Sequence, residues 1–234
     1  MSEWKQRRFW TEVTVREAEG GFAIALDGRP VRTPGKALLC LPTEAMAQET
    51  AAEWQAQEGT VNPLTMPFTR SANTAIDKVA HQHGEVADML ADYGDSDLLC
   101  YRADAPEELV RRQAETWDPA LDWAATELEA RLESRVGVIH AAQAPEPLSR
   151  LRARVHALTA FQLVGFHDLV SLSGSLILGF AAAQNWRDPE TLWQMSRLDE
   201  TWQEEQWGED DEARAAAEIK RLAFHHAKRF FDLS

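Results

Sequence analysis

The first part of the chain alternates apolar and polar residues in the way that half-buried strands do. In WTEVTVRE the apolar residues Val13 and Val15 lie on one face, and in GFAIALDG the same holds for Phe22, Ile24 and Leu26. The segment KALLCLP is a further short strand candidate. These segments predict a small antiparallel sheet near the N-terminus.

A tight turn is predicted directly after the second of these strands. Asp27 and Gly28 tolerate the positive φ angles of a type I′ hairpin turn better than most residues do. We therefore assign a structural role in this hairpin to Asp27, Gly28, Arg29 and Pro30.

Helices follow the strands. Thr43 has the hydroxyl of an N-cap for a helix over EAMAQETAAEWQAQ, in which Trp54 is predicted to be a structural anchor of the core. Helical spacing resumes in FTRSANTAIDKVA. Residues 1–83 are thus predicted to form a small domain with an antiparallel sheet and helices.

From about residue 84 onward helical periodicity dominates, and RVGVIH is the one ambiguous segment. Residues 84–234 therefore predict an all-helical bundle, which places the whole chain in the α+β class. The apolar stretch 169–186 contains three serines and two glycines, which favours a buried helix over a membrane span. The predicted helices cover residues 85–93, 106–116, 119–132, 148–166, 168–184, 189–207 and 210–230.

The charge is distributed unevenly between these two parts. Residues 1–83 carry 9 basic and 10 acidic side chains, whereas residues 84–234 carry 15 and 28. This acidity argues against a nucleic acid as partner, because phosphates require clustered cations. It favours a basic protein surface as partner, or a well-solvated acidic domain. The two cysteines, Cys40 and Cys100, suit a reducing compartment.

Motifs for catalysis or for cofactor binding are missing from the sequence. It contains no phosphate-binding Walker motif, no dinucleotide-binding glycine motif and no nucleophile elbow. The two clusters of histidines, at 81 and 83 and at the adjacent positions 225 and 226, are too few to complete a zinc site. We predict no metal and no cofactor.

The segment LDETWQEEQWGEDDE, residues 198–212, contains eight carboxylates, two tryptophans and no basic residue. In a helix, Glu200, Glu204 and Glu205 would present their carboxylates together, and like charges at this spacing repel. One interpretation is a solvated helix face, and a second is a surface for a cationic protein partner. A third is a divalent-metal carboxylate site, which would require a histidine at i+3 or a second acidic helix.

The chain resembles the assembly chaperones of the F-type ATP synthase catalytic head that bind the α subunit, the mitochondrial assembly factor 2 type and its bacterial relatives. The combination of LDGRPVRTP with MPFTRSANTAID is the most specific part of the resemblance. The similar blocks are RRFWTEVTV, IALDGRPVRTPGKALLCLPT, TAAEWQAQ, VNPLTMPFTRSANTAID, DLLCYRA, QAETWDPALDW and SRLDETWQEEQWGEDDEA.

The resemblance implies a chaperone, not an enzyme, with no nucleotide site of its own. Its partner would be the unassembled α subunit, whose β-facing surface it would cover until the β subunit displaces it. The free protein would be monomeric, in the bacterial cytoplasm or the mitochondrial matrix, without nucleic acid or membrane as partner. The implied partner-binding residues are Asp199, Glu200, Trp202, Glu204, Glu205, Trp207 and Glu209.

Three polar residues of the segment FTRSANTAIDKVA also match the family pattern. Asn73, Thr74 and Asp77 are expected to have a structural role through hydrogen bonds between the two domains. Two other functions stay open on the sequence alone. One is a metal-dependent enzyme that uses the acidic helix 199–212, and the other is an adaptor with a different protein client.

Overall fold

The computed structural model describes residues 7–234 and divides into two compact units. The first unit comprises the chain up to His83 together with Thr159–Val164 and Arg229–Ser234. The second comprises Gly84–Leu158 and Gly165–Lys228. The sequence did not predict that two later segments would join the first unit.

The first unit contains a four-stranded antiparallel sheet organised around one central strand. The strands are β1 (Val13–Ala18), β2 (Gly21–Leu26), β3 (Arg29–Pro30) and β4 (Cys40–Leu41). Strand β2 pairs with each of the other three. Its residues from Ala23 to Leu26 are all buried, so the predicted alternation of buried and exposed positions is lost there. Ala23 and Ala25 lie on the face opposite to Ile24 and Leu26. Their side chains are small enough to be covered as completely as the large ones.

The hairpin between β2 and β3 has a two-residue turn with left-handed backbone geometry. Asp27 has a φ of 46° and Gly28 a φ of 81°, and Leu26 pairs with Arg29 across the turn. The Asp27 carboxylate accepts hydrogen bonds from the backbone N–H groups of Thr11 (3.1 Å) and Glu12 (2.9 Å). These bonds stabilise the positive φ of Asp27 and join the turn to the chain that enters β1. Pro30 lies in the short strand β3, beyond the turn.

Two helices of the first unit pack near this sheet, α1 (Glu44–Gln55) and α2 (Pro67–Asp77). The Thr43 hydroxyl caps α1 by accepting from the Met46 N–H at 3.2 Å. Trp54 is half-buried, and its ring lies edge-on to that of Trp10 with 5.4 Å between centroids.

The three polar residues of α2 have different environments. Asp77 accepts hydrogen bonds from Thr33 Oγ1 at 2.6 Å and from the Gly35 N–H at 2.7 Å. The Thr74 hydroxyl donates to the carbonyl of Arg70 within the helix, at 3.0 Å. The Asn73 Oδ1 is buried and has no hydrogen-bond partner in the part of the chain that the structure describes. The sequence predicted that these residues form hydrogen bonds between the two domains. The bonds of Asp77 and Thr74 instead lie within the first unit.

From His83 onward the described chain is mainly helical, in agreement with the predicted α+β class. Short 3-10 helices occur on both sides of His83: Pro63–Thr65 and Val79–His81 before it, and Asp92–Ser96 and Leu98–Cys100 after it. None of the described helices is long and apolar enough to cross a membrane. The α-helices are α3 (His83–Ala91), α4 (Glu107–Glu127), α5 (Pro145–His156), α6 (Ala160–Ser173), α7 (Leu176–Ala183), α8 (Pro189–Ser196), α9 (Leu198–Trp207) and α10 (Asp211–Asp232).

Several predicted helix boundaries are wrong. One helix, α4 (Glu107–Glu127), takes the place of the two predicted helices 106–116 and 119–132, with Pro119 in its interior, and it ends five residues earlier than predicted. A proline there removes one backbone hydrogen bond, but Trp117, Ala120 and Ala124 around it are fully buried, and their packing keeps the helix continuous. The predicted helix 189–207 divides at Arg197 into α8 and α9.

The predicted helices 148–166 and 168–184 would meet near residue 167, but α6 runs continuously through that position. The chain leaves the helical conformation before and after α6 instead. Gly174, with a φ of 70°, follows α6, and the Ser175 hydroxyl then caps α7 by accepting from the Leu178 N–H at 3.0 Å. The two helices approach closely because Gly179 has no side chain: a Cβ there would lie 2.6 Å from Val170 Cγ2.

A buried carboxylate joins the chain before α4 to the start of α7. Asp97 is fully buried and accepts from the Leu99 N–H (3.0 Å), the Ile177 N–H (3.0 Å) and the Ser175 hydroxyl (2.8 Å). Burial raises the pKa of Asp97 to about 6, although these hydrogen bonds oppose the shift. Burial likewise raises the pKa of the Cys100 thiol to about 12, so this cysteine is unreactive.

The helical region also contains a two-stranded parallel sheet that the sequence did not predict. Strand β5 (Tyr101–Arg102) pairs with β6 (Arg135–Val136), which lies in the segment RVGVIH. Strands of two residues are too short to show a periodic pattern, so only the tertiary structure reveals them.

Candidate functional site: the acidic helix α9

The acidic run is divided between a helix and a turn. Helix α9 begins after Arg197 and ends at Gly208, whose φ of 94° terminates it. The Asp210 carboxylate then accepts from the Ala213 N–H at 2.8 Å and so caps α10. The eight carboxylates of 198–212 therefore do not lie on one continuous face.

One side of α9 is anchored against α4. Leu198 and Trp202, four residues apart on the same face, are both buried. The Arg112 guanidinium lies 5.4 Å from the centre of the Trp202 ring, and its Nη1 donates to Glu205 Oε2 at 2.7 Å. That hydrogen bond raises the pKa of Arg112 above its ordinary value. The Trp202 ring is thus buried within the protein, under Arg112.

Asp199 is held by the neighbouring residue of α4. The buried side chain of Gln113 donates from Nε2 to Asp199 Oδ1 at 2.7 Å. Its Oε1 accepts from the Ala103 N–H at 2.8 Å. Gln113 therefore fixes both α9 and the chain that follows β5.

The other glutamates of α9 lie close to a basic residue just before the helix. Arg197 Nη1 donates to Glu200 Oε1 at 2.7 Å, and its Nη2 lies 3.8 Å from Glu204 Oε1. Beyond the helix, Glu209 lies 3.7 Å from Arg214 Nη1. These pairs are partly exposed, so each contributes only about 0–1 kcal/mol to stability. Arginines from outside the run thus offset the repulsion that the sequence predicts.

The last residue of α9 has a different environment. The Trp207 side chain is 80% exposed, although tryptophan is normally among the more buried residues. It projects from the end of a helix whose anchor, Trp202, is buried. The predicted partner-binding residues therefore separate into one buried ring, a group of carboxylates paired with arginines or, for Asp199, with the amide of Gln113, and one exposed aromatic ring.

The arrangement is suited to binding rather than to bond-making chemistry. Within residues 7–234 no group of three or more histidine, cysteine, aspartate or glutamate side chains is placed to hold a metal ion. The carboxylates of α9 point to different arginine or amide partners and do not converge on a common point. What they can provide is an acidic surface beside an exposed indole.

Comparisons with known proteins agree with a binding role. The family model described as ATP12 chaperone protein matches residues 7–125, slightly more than half of the chain. The chain belongs to the ATP12 chaperone family. This is a family of assembly chaperones for ATP synthase, so the protein is a chaperone and not an enzyme, as the sequence predicted.

Three known proteins are similar to this one over most of the chain. Protein atp12, mitochondrial, of Schizosaccharomyces pombe is 27% identical over 219 residues, which cover 88% of this chain and 75% of that protein. The crystal structure of Atp12 from Paracoccus denitrificans is 55% identical, covers 99% of both chains and superposes with a TM-score of 0.96. The Atu1473 protein of Agrobacterium tumefaciens is 41% identical, with 97% of this chain and 85% of that one covered and a TM-score of 0.93.

Residues that hold α9 in place were missed by the sequence analysis of this ATP12-family chain. Arg112 and Gln113 belong to α4, far from α9 in sequence, and no local pattern connects them to the acidic run. Arg197 could have been found, because an arginine three residues before a glutamate in a helix is a recognised ion-pair spacing.

Proposed function

We propose that this chain is an ATP-independent chaperone that binds the unassembled α subunit of the ATP synthase catalytic head. It would cover the β-facing surface of that subunit until the β subunit displaces it. The proposal rests on membership of the ATP12 family together with one structural observation: an acidic helix that ends in an exposed tryptophan, Trp207. We further propose that the free protein is a monomer of the bacterial cytoplasm or the mitochondrial matrix.

The proposal fits the physical problem of assembling a ring of subunits. A subunit that will form a large obligate interface exposes apolar and charged surface while it is alone, and such surface promotes aggregation. A chaperone that covers it needs aromatic anchors for affinity and charge complementarity for fast, specific association. Trp207 supplies the first and the carboxylates of α9 supply the second.

Charge complementarity remains available even though the carboxylates of α9 have arginine partners. Glu200 and Glu205 keep roughly half of their side-chain surface exposed, and residues 198–212 contain eight acidic and no basic side chains. Basic groups of a client can replace Arg197 and Arg112 as the partners of these glutamates, because exposed ion pairs are weak. We propose that Asp199, Glu204 and Glu209 contribute to the same surface, and that Trp202 holds the helix in its binding-competent form.

Release would have to occur by competition, because the sequence contains no phosphate-binding loop with which to couple release to hydrolysis. The affinity for the α subunit must then be lower than that of the β subunit for the same surface. Exclusion of one ligand by a tighter one needs no further chemistry.

The test is protection of the isolated α subunit from aggregation. Diluting unfolded α subunit into buffer that contains an equimolar amount of this protein should suppress light scattering equally with ATP, with ADP and without nucleotide. An inert protein of similar size and charge is the control. Protection that requires ATP, or no protection at any ratio, would contradict the proposal.

A further inference from the structure

A groove beside α9 is a second feature of the helical region. It has a volume of about 450 Å³ and lies between the segment from Tyr101 to Leu109, helix α9 and the loop that follows β6. Its wall includes Leu109, Trp202 and Trp207, and Val138 closes it on the loop side. All of these residues belong to the second unit.

Two large apolar side chains of the groove wall are exposed. Val138 is 89% exposed and, across the groove, Trp207 is 80% exposed. Their neighbours along the chain, Val136 and Ile139, are 70% and 86% exposed but do not line the groove. Single exposed apolar residues are common, but exposed apolar residues on facing walls of one concave surface indicate an interaction site. Val138 and Ile139, in the loop after β6, are not part of the hydrophobic core, so their apolar character is not explained by folding.

The charge left open in the groove is negative. The Asp104 carboxylate lines it, and no hydrogen bond or ion pair of this group is found within residues 7–234. Asp199 also lines it, with only its Oδ1 engaged, by Gln113. The one basic residue of the wall, Arg102, is occupied: its Nη2 donates to Asp118 at 2.8 Å, and its guanidinium lies 5.3 Å from the Trp117 ring centre.

The backbone of β6 adds an unpaired strand edge. The Gly137 N–H donates to the carbonyl of Arg102 at 2.8 Å, so Gly137 faces β5. Because successive residues of a strand turn their N–H and C=O groups to opposite sides, Val136 faces away from β5. Among the described strands only β5 pairs with β6. This open edge is one residue long, so it offers one backbone N–H and one C=O, those of Val136, to an extended segment of another chain.

We infer that this groove receives an extended segment of the client protein that carries apolar side chains and a flanking lysine or arginine. The apolar side chains would contact Val138, Leu109 and Trp207, and the cation would pair with Asp104 and Asp199. The groove is continuous with α9 through Trp202 and Trp207, so it extends the surface assigned above to the α subunit. This inference rests on the proposed function.

The test is a competition experiment with the full-length chain. Labelled parent protein is bound to α subunit of the same organism's ATP synthase, and unlabelled variants are added to displace it. The loop variant Val138→Ser should need on the order of 10-fold more protein for half-displacement, since the apolar side chain of Val138 no longer becomes buried. Asp104→Lys should compete more weakly than parent through charge repulsion. Ile219→Ser, an equally apolar residue of α10 that is 70% exposed, is the matched control and should compete like the parent.

The competition experiment has four informative outcomes. Weaker competition by the loop variant and by Asp104→Lys, with unchanged melting temperatures and a normal control, supports it. If parent and loop variant compete equally, the groove is not a client site, while binding of the α subunit stands. If the parent forms no complex with the α subunit, the proposed function fails and the groove assignment fails with it. If sedimentation shows that the parent self-associates and the loop variant does not, a second copy covers the groove and the assignment to the client is wrong.

Discussion

Replacing Asp97 by alanine removes the acceptor for two buried N–H groups and one buried hydroxyl. The N–H groups of Leu99 and Ile177 each lie 3.0 Å from the carboxylate, in a region without solvent access. A buried donor that loses its partner costs about 1–3 kcal/mol. Because the Ser175 hydroxyl can rotate to another acceptor, we count only the two amides. The expected loss in free energy of unfolding is then about 2–6 kcal/mol, a large part of the 5–15 kcal/mol typical of folded proteins.

The pH dependence of this loss has a definite sign. Burial raises the pKa of Asp97 to about 6 from its ordinary value of 3.8, so the native state holds a proton that the unfolded chain has released. The stabilisation from this raised pKa is complete below pH 3.8 and is lost as pH rises through about 6. Between pH 5 and pH 8 the lost part amounts to about 1 kcal/mol, at roughly 1.4 kcal/mol per pKa unit.

The assay is urea unfolding of the parent and of Asp97→Ala at pH 5 and at pH 8. The difference between the two proteins removes the contributions of the other titrating groups, which they share. The parent should exceed the variant at both pH values, and by more at pH 5. Asp104→Asn, which alters an exposed aspartate, is the control and should leave the unfolding free energy within about 0.5 kcal/mol of the parent. A difference that is larger at pH 8 would show that the hydrogen bonds outweigh burial and lower the pKa instead.

Three further predictions concern folding, recognition and nucleotides. Trp54→Ala should lower the free energy of unfolding by up to about 3–5 kcal/mol, because the ring packs against Trp10; a variant that melts like the parent yet fails to protect the α subunit would place Trp54 in the binding surface. Changing Glu200, Glu204 and Glu205 to glutamine should alter stability by less than about 1 kcal/mol but slow association with the α subunit, and added salt should slow the parent in the same way. Isothermal calorimetry should detect no saturable binding of ATP at micromolar concentration, since the sequence has no phosphate-binding loop.

The triple glutamine variant needs a charge-matched control from the first unit. Three exposed glutamates there can be changed in the same way: Glu17, Glu19 and Glu58. This control removes the same number of charges at a distance in sequence from α9, so it should associate with the α subunit at the parent's rate. If both triple variants and the parent protect equally at all salt concentrations, the acidic helix is only a solvated surface.

Local patterns predicted the elements whose signals lie within a few residues. The Asp27-Gly28 turn and the Thr43 cap depend on side chains that act on their own neighbours, and both are present in the structure. The predicted helix boundaries are wrong where tertiary packing determines whether a helix continues or ends. Pro119 ends a helix by local rules, yet the buried ring of Trp117 and the residues around it carry α4 through that position. The stop at Gly174 was overlooked because the apolar residues on both sides are consistent with one helix.

The contacts of the acidic helix also depend on tertiary packing that local sequence does not show. Composition identified the carboxylates of 198–212, but not the arginine that one of them binds, because Arg112 is 93 residues from Glu205 in the sequence. Composition also could not separate Trp202 from Trp207, which occur in the same run. The first is buried under Arg112 and the second is exposed, a difference that depends on where α4 packs.

The most direct test of the central claim is a binding experiment with purified subunits. The tagged chain is mixed separately with the α and the β subunit of its own ATP synthase, and the bound material is measured after gel filtration. We expect an equimolar complex with the α subunit and none with the β subunit, and addition of β subunit to the complex should release the chaperone without ATP. Retention of the β subunit, or a complex with α that β cannot dissociate, would contradict this function.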